Sequence, residues 1–123
     1  MAIYKEKRME NEDNMVLCAA NSYNEKYFFN KHFDLIPEDM KEELHVICVL
    51  FASEVGGIFM MYFEDDGELC LKSEHDEDDL MYDEVSAGLM ISEIRRTRAE
   101  MIDQLEQFYR AFVLKEDQDA FSD

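Results

Sequence analysis

The chain has 123 residues, of which 47% are hydrophobic and 34% are charged. This length is typical of one domain, and the apolar share is enough for a core, so a wholly disordered chain is excluded. The 30 acidic residues outnumber the 12 basic ones and give a formal net charge of −18. We therefore expect no nucleic-acid or membrane partner, because phosphate surfaces need clustered lysine and arginine.

The N-terminal sequence does not resemble a signal peptide, since charged residues begin at Lys5 and no apolar core follows. The longest nearly apolar segment, 46–63, is interrupted by Ser53, Glu54 and two glycines, so no transmembrane helix is expected. These features predict a cytoplasmic protein. We expect a single domain over 1–123, with loose termini at 1–12 and 116–123.

The three cysteines, Cys18, Cys48 and Cys70, are far apart in the sequence and form no CxxC motif. An odd number of cysteines in a cytoplasmic chain argues against a disulfide framework. Their apolar neighbours predict three small buried side chains. The alternative is a zinc site with Cys48, His45 and a second thiol, but the chain has no second closely spaced ligand pair. No metal or cofactor is predicted.

The segment 15–29 reads MVLCAANSYNEKYFF. Four of its apolar residues have the 4-3-4 spacing of one helical face, and two alanines favour a helix. We therefore predict a helix over 15–29. The alternative is a hairpin that turns around 21–25, because the runs VLC and YFF suit strands.

A second helix is predicted over 37–55. Pro37 suits a first helical turn, and Glu38 and Asp39 complement the positive end of the helix dipole. The glycine pair 56–57 provides the C-terminal stop. The expected inward stripe consists of Met40, Leu44, Ile47, Cys48, Phe51 and Val55.

Two strands are predicted over 58–64 and 68–74. The first contains IFMMYF, and the tripeptide DDG between the two strands is a strong hairpin signal. The first strand is apolar at every position, so we expect it to be central or covered. A lone hairpin is marginally stable, so it must pack on helices or pair with a further strand, in this chain or across a dimer.

The last predicted element is one amphipathic helix over 83–115. Its apolar positions follow heptad spacing, interrupted only by Arg98. Such a helix would be about 48 Å long, whereas a compact chain of this size has a diameter of about 35 Å. The helix would therefore extend beyond its own domain and leave apolar side chains in water.

This excess length favours a homodimer, since most soluble oligomers are two-fold homodimers. The alternative is a helix that is kinked or packed lengthwise in a monomer, with Arg98 as a register or snorkelling residue. The predicted interface residues are Ile91, Ile94, Arg98, Met101, Leu105, Phe108 and Phe112.

Residues 64–84 contain eleven acidic residues and one lysine. They do not form an EF-hand loop: with Gly67 at the sixth position, Tyr62 and Ser73 would stand where Asp and Glu are needed. His75 lies in this run, where negative charge favours its protonated form. A solvated acidic surface is the simpler interpretation. The alternative is a ligand- or metal-responsive regulator that uses the acidic loop around His75.

The sequence contains no GxSxG, P-loop, GxGxxG or HExxH motif, so no catalytic residue is predicted and an enzyme is not expected.

The predicted fold is α+β, with two N-terminal helices, one central β-hairpin and a long C-terminal amphipathic helix. The predicted function is a small, acidic, homodimeric protein–protein interaction module with an unidentified protein partner. The predicted core contains Val16, Ala20, Tyr23, Leu44, Ile47, Phe51, Val55, Phe59, Met61, Leu69, Leu71, Leu89, Ile94 and Ile102.

Several local sequences point to a family. They are VLCAANSYNEKYFFN, the helix end LFASEVGG that leads into a strand, the DDG hairpin, and YDE before the last helix. In these features residues 15–115 resemble a family of short acidic bacterial proteins from Gram-positive anaerobes that has no assigned function. The resemblance implies a stand-alone cytoplasmic protein and supplies no catalytic or ligand-binding residue.

Overall fold

The computed structural model describes residues 16–114, so the termini predicted at 1–12 and 116–123 lie outside it. The predicted α+β class is confirmed, although the arrangement of elements differs. Short 3-10 and π-helical turns occupy Lys31–Phe33 and Arg110–Leu114. The main elements are β1 (Val16–Asn21), β2 (Lys26–Phe29), α1 (Glu38–Glu54), β3 (Ile58–Phe63), β4 (Leu69–Glu74), α2 (Glu84–Thr97) and α3 (Ala99–Tyr109).

The four strands form one antiparallel sheet in the order β2-β1-β3-β4. The strands predicted over 58–64 and 68–74 are confirmed as β3 and β4. The hairpin does not stand alone, because β1 pairs with the free edge of β3. The apolar strand β3 is therefore central, as its sequence indicates.

The helix predicted over 15–29 is wrong, and the alternative hairpin is correct. Strands β1 and β2 pair from Asn21 opposite Lys26 to Cys18 opposite Phe29. At the turn, the Asn21 side chain accepts a hydrogen bond from the Tyr23 amide (2.9 Å), and Glu25 adopts a left-handed φ of 54°. The helical spacing was misleading because pairing with β3 outweighs the weak local preference of two alanines.

The helix predicted over 37–55 is confirmed as α1. The chain then reverses through two glycines with positive φ, Gly56 at 91° and Gly57 at 69°. A Cβ at Gly57 would clash with the carbonyl oxygen of Glu74, so the close approach of β4 requires glycine there.

The single helix predicted over 83–115 is also wrong, because the chain breaks at Arg98 into α2 and α3. The ψ of Arg98 is 25°, and the Thr97 hydroxyl donates to the Glu93 carbonyl (2.8 Å), a bond that often accompanies helix bends. The Arg98 Nε lies 2.9 Å from Glu43 Oε1 on α1. The break shortens the rod, so its excess length no longer argues for a dimer.

The helices cover one face of the sheet. Phe59, Met61 and Phe63 of β3 are fully buried on this face, where Phe59 stacks on Phe51 of α1 and Phe63 on Tyr109 of α3, each at 4.3 Å between ring centroids. The alternate β3 side chains are partly exposed on the other face. The strand is therefore central, as expected, but only one of its two faces is fully buried.

Most of the predicted core is buried, with three exceptions. Leu71 is only partly buried, whereas Tyr23 and Leu89 are exposed. Tyr23 is exposed because it lies in the β1–β2 turn rather than on a helix, and Leu89 lies on an exposed position of α2. No helix within 16–114 is long and apolar enough to cross a bilayer.

Candidate interaction surfaces

The residues predicted to form the interface fall into two groups. Ile94, Met101 and Leu105 are buried in the core of their own chain, and Ile91 and Phe108 pack partly against that core. The side chains that reach the surface substantially are Arg98, held by its ion pair to Glu43, and the half-exposed Phe112. Contact of the predicted interface residues with a second copy stays a prediction. If α2 and α3 form such a contact, it would centre on the turn after α3, where Phe112 is exposed.

A different helix carries a larger uncovered apolar face. Val46, Val49 and Leu50 of α1 are three and four residues apart, so they share one face, which we call the α1 stripe. They are between 43% and 54% exposed. The opposite side of α1, with Ile47 and Phe51, is buried against the sheet.

The sequence carries a signal for the α1 stripe that the spacing of its inward positions does not reveal. Residues 46–52 read VICVLFA, with no polar residue in almost two helical turns. Such a segment is apolar on all sides, which is typical of a helix that is covered on all sides. In this chain the sheet covers only one side of it.

An open cleft of about 450 Å³ lies between α1 and the β1–β2 hairpin, lined in part by Val49, Tyr27 and His45. The rings of Tyr27 and His45 stack with centroids 4.3 Å apart. Below them, the Sγ atoms of Cys18 and Cys48 are 3.5 Å apart in fully buried free thiols.

The surroundings of this cluster disfavour ionisation of the Cys18 thiol. The hydrogen bond to Cys48, together with burial, raises the pKa of the Cys18 thiol well above its usual range. Burial also raises the pKa of Tyr27. A thiol must ionise to act as a nucleophile or metal ligand. Within residues 16–114, no group of three or more His, Cys, Asp or Glu side chains is placed to hold a metal ion.

The third cysteine differs from the other two. Cys70 on β4 is only partly buried, and its Sγ lies 3.4 Å from a carboxylate oxygen of Glu64. Cys18 and Cys48 are buried as predicted, whereas Cys70 is not. Its alternating position on β4 places it on the sheet face away from the helices.

The acidic residues 64–84 lie at both ends of the β3–β4 hairpin. The second part, 74–84, is held by Tyr23, whose hydroxyl donates to Asp79 Oδ2 (2.6 Å) and accepts from the Asp76 amide (3.0 Å). These bonds tie the acidic segment to the β1–β2 turn. Its carboxylates are therefore partly used in organising the loop itself.

The His75 side chain is also part of this fold. Its ring stacks on Tyr82 at 4.2 Å, and its Nε2 lies 3.4 Å from Glu84 Oε1. The Asp76 backbone carbonyl bonded to Nδ1 is the largest cause that raises the pKa of His75, followed by Glu84. The arrangement therefore favours imidazolium, which suits an ion pair better than metal ligation.

A second uncovered apolar area follows the acidic segment. We call it the 80–89 patch, and its members are Leu80, Met81, Val85 and Leu89. It begins in the turn before α2 and continues onto the first two helical turns, since Val85 and Leu89 are four residues apart. The N-cap of α2 is Asp83, whose side chain accepts hydrogen bonds from the Ser86 amide (3.1 Å) and hydroxyl (2.7 Å).

Taken together, the fold defines a small acidic α+β protein whose antiparallel sheet is covered by helices on one face, with uncovered apolar surface on two of those helices. The chain belongs to the family of unknown function DUF6145, whose profile matches residues 14–117. The resemblance is thus confirmed at the level of a domain of unknown function. No curated protein and no solved structure is detectably similar to this chain.

Proposed function

We propose that this protein is a non-enzymatic, homodimeric interaction module of the cytoplasm, and that its two copies pack through the α1 stripe. The observation that supports it is a helical segment, 46–52, that is apolar on all sides and covered on one. In an isolated monomer that face would stay in water. A second copy of the same helix supplies the missing cover.

Burial of the α1 stripe offsets part of the free-energy cost of dimerisation. Fully burying a valine or leucine stabilises by about 1.5–3 kcal/mol, so each half-exposed stripe residue retains roughly half of that. Six such side chains in a dimer contribute about 5–9 kcal/mol, against an association cost of about 4–15 kcal/mol. The α1 stripe is therefore the apolar centre of an interface whose polar rim must add the remainder.

Charge favours an antiparallel pair of α1 helices. Asp39 and Glu42 lie N-terminal to the stripe and share its outward side, while Ser53 lies C-terminal to it on that side and the exposed Glu54 lies at its flank. A parallel pair would place the carboxylates of both copies opposite one another. An antiparallel pair places them near Ser53 of the other copy and also opposes the helix dipoles favourably.

A two-fold contact suits this surface because an isologous interface joins identical patches. The stripe has no charged residue among its three members, so apposing two copies buries no like charge at the centre. The dense acidic segments 64–68 and 74–84 lie at the ends of the β3–β4 hairpin. Neither segment is on α1, and the Glu74 end of the second segment meets Gly57, just after α1.

Sedimentation equilibrium tests this proposal directly. The wild-type chain of 14.6 kDa should sediment with twice that mass, and Leu50→Asp should sediment as a monomer. Leu35→Asp is the matched control, since Leu35 is 76% exposed and lies outside α1. A monomeric wild type, or a Leu50→Asp variant that remains dimeric, would contradict the proposal. If Phe112→Asp dissociates the dimer and Leu50→Asp does not, the interface lies on the last helix instead.

A further inference from the structure

The 80–89 patch is the most exposed apolar area among the described residues. Its four side chains are 67% to 93% exposed, and they lie within ten positions of one another. Single exposed apolar residues are ordinary on protein surfaces. A group of four large ones in one turn and one helix end is not, and such patches mark binding surfaces.

The turn that carries Leu80 and Met81 is organised from within. The Met81 amide donates to Asp79 Oδ1 (3.0 Å), and the Asp79 amide donates to the Asp76 carbonyl (3.1 Å). Tyr82 is the anchor, because its ring packs against the core and its hydroxyl is hydrogen-bonded to Ser73. With Tyr82 fixed inward, its two predecessors are presented to solvent in a defined geometry, which lowers the entropic cost of docking.

The surroundings of the patch are strongly negative, and two of the carboxylates have cationic partners: Lys72 Nζ lies 2.8 Å from Glu74, and His75 Nε2 lies 3.4 Å from Glu84. Between positions 74 and 84 there are seven carboxylates and no lysine or arginine. The acidic residues are Glu74, Asp76, Glu77, Asp78, Asp79, Asp83 and Glu84. The surface thus combines an apolar centre with an acidic rim, and electrostatic complementarity then determines what can dock on it.

We propose that the 80–89 patch is the docking site for a basic amphipathic segment of a partner protein. Its apolar side chains cover Leu80, Met81, Val85 and Leu89, and its lysines or arginines lie over the carboxylates of 74–84. The inference rests on the proposed role as an interaction module. It uses a surface separate from the α1 stripe, so partner docking and dimerisation are independent.

Charge argues against the other occupants. A second copy apposed on this patch would bring two sets of the same seven carboxylates together, and like-charge apposition opposes association. An anionic membrane would be repelled by the same rim. A basic segment gains both from apolar burial and from charge, and this mode of recognition lays the apolar face of a helix on an apolar surface.

The test measures binding of a fluorescent synthetic helical peptide made of leucine on one face and lysine on the other. Fluorescence anisotropy should show saturable binding to the full chain that weakens as salt is raised, because screening reduces the charge contribution. The double variant Leu80→Ser/Leu89→Ser should weaken binding on the order of tenfold or more, as expected for centrally placed contacts. The matched control Leu35→Ser removes an equally exposed leucine elsewhere and should leave binding unchanged.

A second pair of variants tests the acidic rim. Asp76→Asn/Asp78→Asn should weaken binding and flatten its salt dependence, while Asp65→Asn/Glu68→Gln, in the turn at the other end of the hairpin, should not. Absence of binding, equal loss in the control variants, or equal binding of a lysine peptide without leucines would overturn the proposal. A change in mass for Leu80→Ser/Leu89→Ser would assign the patch to a second copy instead.

The peptide is also titrated against the Leu50→Asp variant. Unchanged affinity there is expected, and loss of affinity would show that the patch is not an independent surface. If sedimentation finds no dimer while the peptide still binds the patch, the proposed homodimer fails and this inference stands. If sedimentation finds a dimer but the peptide does not bind, the homodimer stands and this inference fails.

Discussion

Replacing Leu105 by alanine separates a core residue from an interface residue. The sequence placed Leu105 at a dimer contact, whereas in the structure it is fully buried in the core of its own chain. A buried Leu→Ala change removes apolar contacts and leaves a cavity, at a cost of about 2.7–5 kcal/mol. With an unfolding entropy of about 2.1 cal/mol/K per residue, the Tm of a 123-residue chain should fall by roughly 10–20 °C.

Urea unfolding followed by circular dichroism measures this loss, at two protein concentrations that span any dimer dissociation. The difference in the free energy of unfolding between variant and wild type should be the same at both concentrations, because Leu105 makes its contacts within its own chain. Leu89→Ala is the matched control on α2, and its exposure limits its effect to about 0.5 kcal/mol. A loss for Leu105→Ala that disappears at the lower concentration would refute the placement of α3 against its own sheet.

The remaining predictions concern glycines, a histidine and metals. Gly57→Ala should destabilise the fold by more than about 1 kcal/mol, because the φ of Gly57 is positive and the Glu74 carbonyl leaves no room for a Cβ. Gly88→Ala should stabilise the fold by about 0.5–1 kcal/mol, because there is open space around Gly88. Thermal melts measure both changes. NMR titration should place the pKa of His75 above 6.5, and Glu84→Gln should lower it. Because the folded pKa is raised, the stabilisation by imidazolium should be complete below about pH 6.5 and decline as the pH rises through the folded value. Millimolar calcium, magnesium or zinc should not raise the Tm, because no three-ligand group is present within 16–114.

Elements with strong local stop and turn signals could be predicted from the sequence. Pro37 with two following acids and the glycine pair 56–57 bounded α1 to within one residue at each end. The DDG turn gave both strands of the β3–β4 hairpin, and Gly67 indeed has a positive φ of 91°. These signals act through the backbone of a few neighbouring residues, so they do not depend on the rest of the fold.

The errors occurred where distant contacts decide the structure. Residues 16–29 have both helical spacing and strand-forming residues, and pairing of β1 with the edge of β3 selects the hairpin. The break at Arg98 also has only a weak local signal, the β-branched Thr97, and it allows Met101 and Leu105 to reach the core. The heptad spacing of the sequence does not reveal such a break, because α2 and α3 each keep an apolar face toward the core.

The interaction surface that the sequence places on the last helix stays a prediction, and the structure shows further uncovered apolar area on α1. The sequence indicated an apolar or acidic interaction surface and put it on the last helix. The helix is broken at Arg98, so its length no longer favours an interface there, and the all-apolar run 46–52 marks a further uncovered face. Counting apolar residues on every side of α1, and not only on its expected inner face, would have identified the α1 stripe.

Disulfide cross-linking locates the second copy most directly. In a Cys70→Ser background, which removes the partly exposed native thiol, single cysteines are placed at Val49 in the α1 stripe and at Phe112 on the last helix. Mild oxidation should convert Val49→Cys rapidly to a covalent dimer and leave Phe112→Cys monomeric. Rapid cross-linking of Phe112→Cys alone, or of neither variant, would contradict a dimer built on α1.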